Sequence, residues 1–206
     1  MYDDIIEKVK MVKNGFKEIE KESILILNNN SINKCFIIAK EFYSSEFYQV
    51  RELSTFICGS ISCELNEAVV FLKEKVSLDA NWRVQEILAK AFDKYCCDIG
   101  YENALPIIKI WLNDSNPNVR RAVTEGLRIW TSRDYFKQNP NIAISLISNL
   151  KNDKSEYVRK SVGNALKDIS KKHSELIKSE LKTWDLSQKS INQVYKLANK
   201  HIIKGT

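Results

Sequence analysis

A helical segment recurs along this chain, and four valines mark its copies. They are separated by 34, 35 and 39 residues and are Val50, Val84, Val119 and Val158. After each valine, apolar residues return at the i, i+3, i+4 and i+7 spacing of a helix that buries one stripe, although the first copy is looser. The best-formed copy, residues 114–130, reads DSNPNVRRAVTEGLRIW and predicts a helix from about Asn116 to Trp130. The chain is therefore expected to stack similar helices along its length.

A period near 35 residues is typical of an α-solenoid built from HEAT-like helix pairs. An Asp stands five residues before three of the valines, at Asp79, Asp114 and Asp153. No alternating strand pattern occurs, so we predict an all-α solenoid with a concave basic cleft, in one domain. Its expected parts are N-terminal capping helices (1–45), repeats (46–184) and a C-terminal helix (185–206).

Each motif helix needs a partner helix before it. These first helices are predicted at Glu64–Val76, Tyr101–Asn113, Pro140–Leu150 and Ser174–Trp184, and a closing helix at Ser187–His201. Pro106 is expected near the first turn of its helix, where a missing N–H costs little.

Composition narrows the class of protein. Among 206 residues there are three prolines and six glycines, so no segment has a disordered composition. No long apolar run and no signal-peptide pattern occurs, and we expect a soluble, cytoplasmic protein. The five cysteines lack CxxC spacing and only two histidines are present. We therefore expect buried, reduced thiols, with no metal and no cofactor.

Positive charge is concentrated in the later repeats. Residues 1–113 carry 14 Lys/Arg against 17 Asp/Glu, residues 114–172 carry 12 against 6, and residues 173–206 carry 6 against 3. A basic surface of this kind fits a polyanion such as nucleic acid. A solvated, lysine-rich face of a protein that binds other proteins fits the charge equally well.

In the copies at Val84, Val119 and Val158, the residues two, six and nine positions after the valine are polar. At two positions after it they are Glu86, Arg121 and Lys160; at six, Lys90, Glu125 and Asn164; and at nine, Asp93, Arg128 and Lys167. The second helices of a solenoid line its concave surface, so these residues are expected to form a polar strip across it. Trp82 lies one helical turn before Glu86, on the same face. Such a strip fits a catalytic or cation-binding cleft, or Glu–Arg pairs that only set the packing of neighbouring helices.

Three segments resemble the DNA alkylation repair family, which includes the AlkC- and AlkD-like DNA glycosylases. They are NWRVQEILAKAF (81–92), NVRRAVTEGLRIW (118–130) and YVRKSVGNALKDISKKHSEL (157–176), and the last looks closest to the AlkC-like branch. The resemblance covers about residues 45–184. It implies excision of cationic N3- or N7-alkylated purines from duplex DNA, without a metal and without base flipping.

The resemblance also implies roles for particular residues. Glu86 matches the catalytic carboxylate and Glu125 a second acidic residue of the AlkC-like branch. Trp82 matches a tryptophan that lies against the sugar of the lesion, Arg121 an arginine on the DNA backbone, and Trp130 an aromatic residue at the end of the motif. A second tryptophan of AlkD-like members falls at Asn164, which has no π face.

Other basic residues complete the expected DNA surface. Together with Asn164, they are Arg83, Arg128, Arg133, Lys160 and Lys167. Arg120 and Arg159, one residue after a valine, are expected instead to tie neighbouring repeats together. Trp130 also lies on the apolar face of its helix and fits the core as well as the site.

The sequence leaves two functions open. One is a monomeric, monofunctional glycosylase acting on double-stranded DNA in base excision repair. The other is a non-catalytic HEAT-repeat protein that binds damaged or branched DNA.

Overall fold

A computed structural model describes residues 2–128 and 130–202 of this chain. Within those ranges all regular structure is helical, with thirteen α-helices and two short 3₁₀ turns and no strand, which confirms the all-α prediction. No helix there is long and apolar enough to cross a membrane. The chain divides into two compact units at Ile99 and Gly100. The last four residues of the predicted C-terminal segment 185–206 lie outside the described ranges.

Unit 1 contains six helices gathered around the fourth. They are α1 (Asp3–Lys10), α2 (Lys17–Asn28), α3 (Ile32–Tyr43), α4 (Tyr48–Ile61), α5 (Asn66–Glu74) and α6 (Trp82–Ile99). All five other helices pack on α4, whose residues are mostly buried. Some polar side chains of α4 bond to neighbouring helices: Ser54 Oγ, for example, donates to the carbonyl of Ala39 on α3 at 2.6 Å. The expected N-terminal capping region thus holds three helices.

Unit 2 contains seven helices, and α11 is packed on several of them. They are α7 (Leu105–Leu112), α8 (Pro117–Gly126), α9 (Asp134–Gln138), α10 (Pro140–Ser148), α11 (Glu156–Ser170), α12 (Ser174–Lys182) and α13 (Lys189–Ala198). Helix α11 packs on α8, α12 and α13. A buried hydrogen bond of 2.6 Å joins Thr124 Oγ1 of α8 to Ser161 Oγ of α11. Pro106 is in the first turn of α7, as predicted.

The Asp before three of the four motif helices forms the turn into that helix. Its Oδ1 accepts a hydrogen bond from the backbone N–H two residues later, the geometry of an Asx turn. The three pairs are Asp79 with Asn81 (2.8 Å), Asp114 with Asn116 (2.8 Å) and Asp153 with Ser155 (2.7 Å). The recurring Asp is thus a starting signal for the repeat.

Of the two predicted arginine ties, the one at Arg120 is present, and Arg51, which was not predicted, makes a matching tie in unit 1. Arg120 of unit 2 is bonded to Asp153, and Arg51 of unit 1 is bonded to Asp79 in the same way. The bond of Arg51 shows that the looser copy at Val50 is a true member of the repeat. Arg159, the other expected tie, meets no carboxylate among the described residues.

Two expectations need correction. The motif helix predicted to reach Trp130 ends at Gly126, and Trp130 belongs to a 3₁₀ turn. Glycine is among the less favourable residues in a helix, and Trp130, beyond the helix end, is buried in the core. The cysteines are free, but Cys63 and Cys97 are exposed, so only the other three match the expected buried thiols.

Candidate functional site

Trp82 and Glu86 stand together on the exposed face of α6 in unit 1. Both side chains are exposed, Trp82 by 58%. The start of α6 is fixed by Asn81, whose Oδ1 accepts the backbone N–H of Arg83 at 2.9 Å. Because Trp82 is the first residue of the helix, this turn also fixes the indole one turn before the carboxylate. Trp82 and Glu86 therefore lie one turn apart on one exposed face of α6, and their roles at a site stay predictions.

Arg83 lies beside this pair and against two aromatic rings. Its guanidinium carbon is 4.5 Å from the centroid of the Trp82 ring and 5.2 Å from that of Tyr48 on α4. These are cation–π distances. One face of the exposed indole is therefore already in contact with a cation of the protein.

Glu52 of α4 is a buried carboxyl whose pKa is affected by the charges of Arg83 and Glu86. It is 2% exposed, and its Oε2 has no hydrogen-bond partner among the described residues. Burial raises the pKa of Glu52 to about 7; the charge of Arg83 opposes this, and that of Glu86 adds to it. A carboxyl with such a pKa exchanges its proton near neutral pH.

Glu52 is not among the residues predicted from the sequence, although a signal for it exists. Glu52 follows Val50 by two residues, the same interval that separates Glu86 from Val84. Extending the aligned strip to the first copy of the repeat would have included it.

In unit 2, Arg121 and Glu125 of α8 and Arg128, two residues after its end, are each partly exposed. Arg128 Nε donates to Asp168 Oδ2 of α11 at 2.8 Å, and its Nη1 lies 3.9 Å from Glu125 Oε2. Arg128 thus lies between two carboxylates, which leaves less of its charge for a ligand. The DNA-binding role expected for Arg128, the substrate-binding role of Arg121 and the catalytic role of Glu125 stay predictions.

Trp130 is part of the core of unit 2. It is fully buried, and its ring packs edge-on against Phe136 with centroids 4.8 Å apart. Of the two positions that the sequence allowed, the core position is the one observed. Trp130 presents no ring surface to a ligand, so the substrate-binding role expected for it is wrong.

The remaining predicted residues of unit 2 lie at its surface. Lys160, Asn164 and Lys167 occupy one face of α11, at the i, i+4, i+7 spacing. Lys160 is paired with Glu156 at 2.7 Å, and Lys167 donates to Asn164 Oδ1 at 3.2 Å. Arg133, after the 3₁₀ turn, has its guanidinium 5.9 Å from the ring of Tyr101. In the described parts of the chain, no group of three His, Cys, Asp or Glu side chains is placed to hold a metal ion.

The family model of the DNA alkylation repair enzymes matches residues 11–197 of this chain. Among curated proteins, the uncharacterized protein YhaZ of Bacillus subtilis is 32% identical over 107 residues, which are 50% of this chain and 30% of YhaZ. The chain therefore spans less than a third of that relative.

Among solved structures, the crystal structure of AlkD2 from Streptococcus mutans is 54% identical, with a TM-score of 0.92 over 94% of this chain and 93% of AlkD2. The alkylpurine DNA glycosylase AlkC from Pseudomonas fluorescens, solved bound to DNA containing an abasic site analog, is 22% identical. It has a TM-score of 0.53 over 92% of this chain and 62% of AlkC, and shows a shared fold. The identity is thus far higher to AlkD2 than to AlkC, whereas the motifs had looked closest to the AlkC-like branch.

Proposed function

This chain belongs to the DNA alkylation repair enzyme family, and we propose from this premise that it binds alkylated duplex DNA and excises cationic N3- or N7-alkylated purines. The observation that supports this best is the exposed pair of Trp82 and Glu86 on α6. An indole and a carboxylate side by side suit a positively charged sugar or base.

Cleavage of this N-glycosidic bond requires little from the protein besides a carboxylate near C1′ of the sugar. A purine alkylated at N3 or N7 is already cationic and leaves C1′ of the sugar as a neutral base, so no general acid is required. The sugar becomes an oxocarbenium ion as the bond breaks, and a carboxylate beside C1′ lowers the energy of that state. We assign this role to Glu86, which also orients the attacking water and accepts its proton.

Unit 2 supplies the candidate contacts to the DNA backbone. Residues 114–172 carry 12 Lys/Arg against 6 Asp/Glu, and the side chains we assign to phosphates are Arg121, Arg128, Arg133, Lys160 and Lys167. Contacts of this kind bind largely without regard to sequence and weaken steeply as salt is added. Glu125 is the second carboxylate we assign to the reaction.

DNA binding without excision is the second candidate function, and three observations favour it. Trp130 is buried and unavailable to a lesion. Asn164 stands where AlkD-like members carry a second tryptophan. Arg83 covers one face of Trp82 with a positive charge, which repels a cationic base from that face.

An excision assay on alkylated DNA separates the two candidates. Duplex DNA treated with N-methyl-N-nitrosourea is incubated with the protein, and release of 3-methyladenine and 7-methylguanine is measured beside DNA binding. We expect release by the wild type, loss of release in Glu86→Gln with binding intact, and normal release in the control Glu46→Gln, which removes an exposed carboxylate before α4.

Two outcomes would count against excision through Glu86. Release that is unchanged in Glu86→Gln would remove this residue from the mechanism. Binding by the wild type without any release would leave the second candidate, and Arg121→Ala and Lys160→Ala should then weaken that binding.

A further inference from the structure

Three arginines, Arg51, Arg120 and Arg159, occupy the same position in the repeat, one residue after a reference valine. Each uses Nη1 to donate to two backbone carbonyls in the loop before its own helix, at 2.7–3.2 Å. The carbonyl pairs belong, in order, to Ser45 and Glu46, to Asp114 and Ser115, and to Asp153 and Lys154. All three guanidinium groups are therefore anchored alike, with the Nε–Nη2 edge turned away from that loop.

On Arg51 and Arg120 this edge holds a carboxylate. Arg51 donates from Nε and Nη2 to the two oxygens of Asp79 at 2.6 and 3.2 Å. Arg120 donates in the same way to Asp153 at 2.6 and 2.7 Å. Such two-pronged bonds are the strongest that a guanidinium makes to an oxyanion.

The Nε–Nη2 edge of Arg159 holds no carboxylate among the described residues. Arg159 Nη2 donates only to the amide oxygen Oε1 of Gln193, at 3.2 Å, and Nε is buried without a partner among the described residues. The Asp that precedes α13, Asp185, instead accepts hydrogen bonds from Ser187 and Gln188. A buried N–H donor without an acceptor is costly, so a group that supplies one is favoured.

Arg159 lines a groove between α11 and α13. It has a volume of about 270 Å³, and its lining residues are Glu156, Arg159, Lys160, Gln193, Val194, Lys196 and Leu197. Three of these are cations and one is a carboxylate, which pairs with Lys160. The groove thus has an excess of positive charge beside Arg159.

We propose that this groove binds a phosphate group. Two phosphate oxygens take the place that an Asp carboxylate occupies on Arg51 and Arg120, and they accept from Nε and Nη2 of Arg159. Lys160 and Lys196 add the charge that a phosphate needs beyond what one carboxylate needs. The phosphate comes either from solution or from the DNA backbone. Only the second source rests on the DNA binding proposed above.

A carboxylate built into the groove tests this directly. Gln193→Glu is isosteric and places a negatively charged oxygen against Arg159, so the new carboxylate should compete with a phosphate for the Nε–Nη2 edge. Gln188→Glu is the matched control: it makes the same charge change at an exposed position before α13, outside the groove. Titration calorimetry with inorganic phosphate measures the first source. Fluorescence anisotropy with an undamaged duplex, across a salt series in phosphate-free buffer, measures the second.

We expect Gln193→Glu to weaken binding by at least about tenfold in one of the two titrations, relative to Gln188→Glu. If DNA is the source, the salt dependence of binding should also fall by about one phosphate contact. Lys196→Ala should weaken the same titration, and the control Lys189→Ala, on the same helix, should not. Thermal unfolding of Gln193→Glu should be unchanged or shifted upward, because the new carboxylate satisfies Arg159.

The inference is overturned if the two glutamate variants bind phosphate and DNA equally well, or if the wild type binds neither. A wild type that binds inorganic phosphate but no DNA would support the groove and count against the proposed DNA function. The two proposals can therefore fail separately.

Discussion

Arg120 and Asp153 form a two-pronged ion pair that joins one repeat of unit 2 to the next, with N–O distances of 2.6 and 2.7 Å. Both side chains are nearly buried, at 12% and 4% exposure. Removing one member of such a pair leaves a charge in the protein interior without its counter-charge.

We therefore expect Arg120→Met to lower the free energy of unfolding by about 3 kcal/mol. Methionine keeps much of the apolar stem while removing the charge. Lys178→Met is the control, because its partner Glu175 is exposed and such pairs contribute about 0.5 kcal/mol or less. Urea unfolding of both variants measures the difference. Equal urea midpoints for the two variants would show that the Arg120–Asp153 pair contributes no more than a surface pair.

Glu52 makes the stability of the protein depend on pH near neutrality. Its pKa in the folded state is about 7, against an ordinary value of 4.5, because burial penalises the charged form. The folded state therefore holds a proton that the unfolded state releases between these two pH values. The free energy of unfolding should fall as pH rises through this window, by on the order of 2–3 kcal/mol.

Glu52→Gln tests this by fixing the side chain in a neutral form. Thermal unfolding should show a higher midpoint than the wild type at pH 8 and a similar one at pH 5. Arg83 and Glu86 are the charged groups that act on Glu52, and both are unchanged in this variant. The exposed Glu46→Gln should leave the pH profile as it is. A Glu52→Gln midpoint that follows the wild type at every pH would contradict the assignment.

Trp82 should dominate the response of this protein to an aqueous quencher. Of its four tryptophans, Trp82 is 58% exposed and Trp111, Trp130 and Trp184 are buried. Acrylamide should therefore quench a component of the emission that disappears in Trp82→Phe. Arg83→Met should increase the quenching of that component, because the guanidinium no longer covers the indole. No increase in Arg83→Met would show that the stacking does not persist in solution.

The helical repeat could be predicted because three of its four copies carry two signals of their own. The apolar spacing gives the buried stripe, and the Asp five residues before the valine gives the turn that starts the helix. Both signals are local, so they needed no knowledge of the neighbouring helices. The shared face of Trp82 and Glu86 followed from helical periodicity in the same way.

The positions of Trp130 and Glu52 could not be read from local spacing. Trp130 fits the apolar stripe of a longer helix equally well, and only its contact with Phe136 shows that the chain turns before it. Glutamate is usually found at the surface, but Glu52 is buried because α6, which begins thirty residues later in the chain, packs against α4. Burial of a single side chain depends on such distant contacts.

Gly59 permits the close approach of α4 and α6 that buries Glu52. A Cβ atom at this position would lie 2.7 Å from the backbone Cα of Ala91, closer than packed atoms can come. Because the obstacle is backbone, the helices themselves would have to separate, and we expect Gly59→Ala to cost roughly 2–3 kcal/mol of unfolding free energy. Ser60→Ala, at the partly exposed next position, should change it by less than about 0.5 kcal/mol.

If the helices do separate, water should reach Glu52 and the pH dependence described above should become weaker in Gly59→Ala. Chemical unfolding at pH 5 and pH 8 would reveal both effects, and full stability with an unchanged pH profile would show that α4 and α6 do not need this contact.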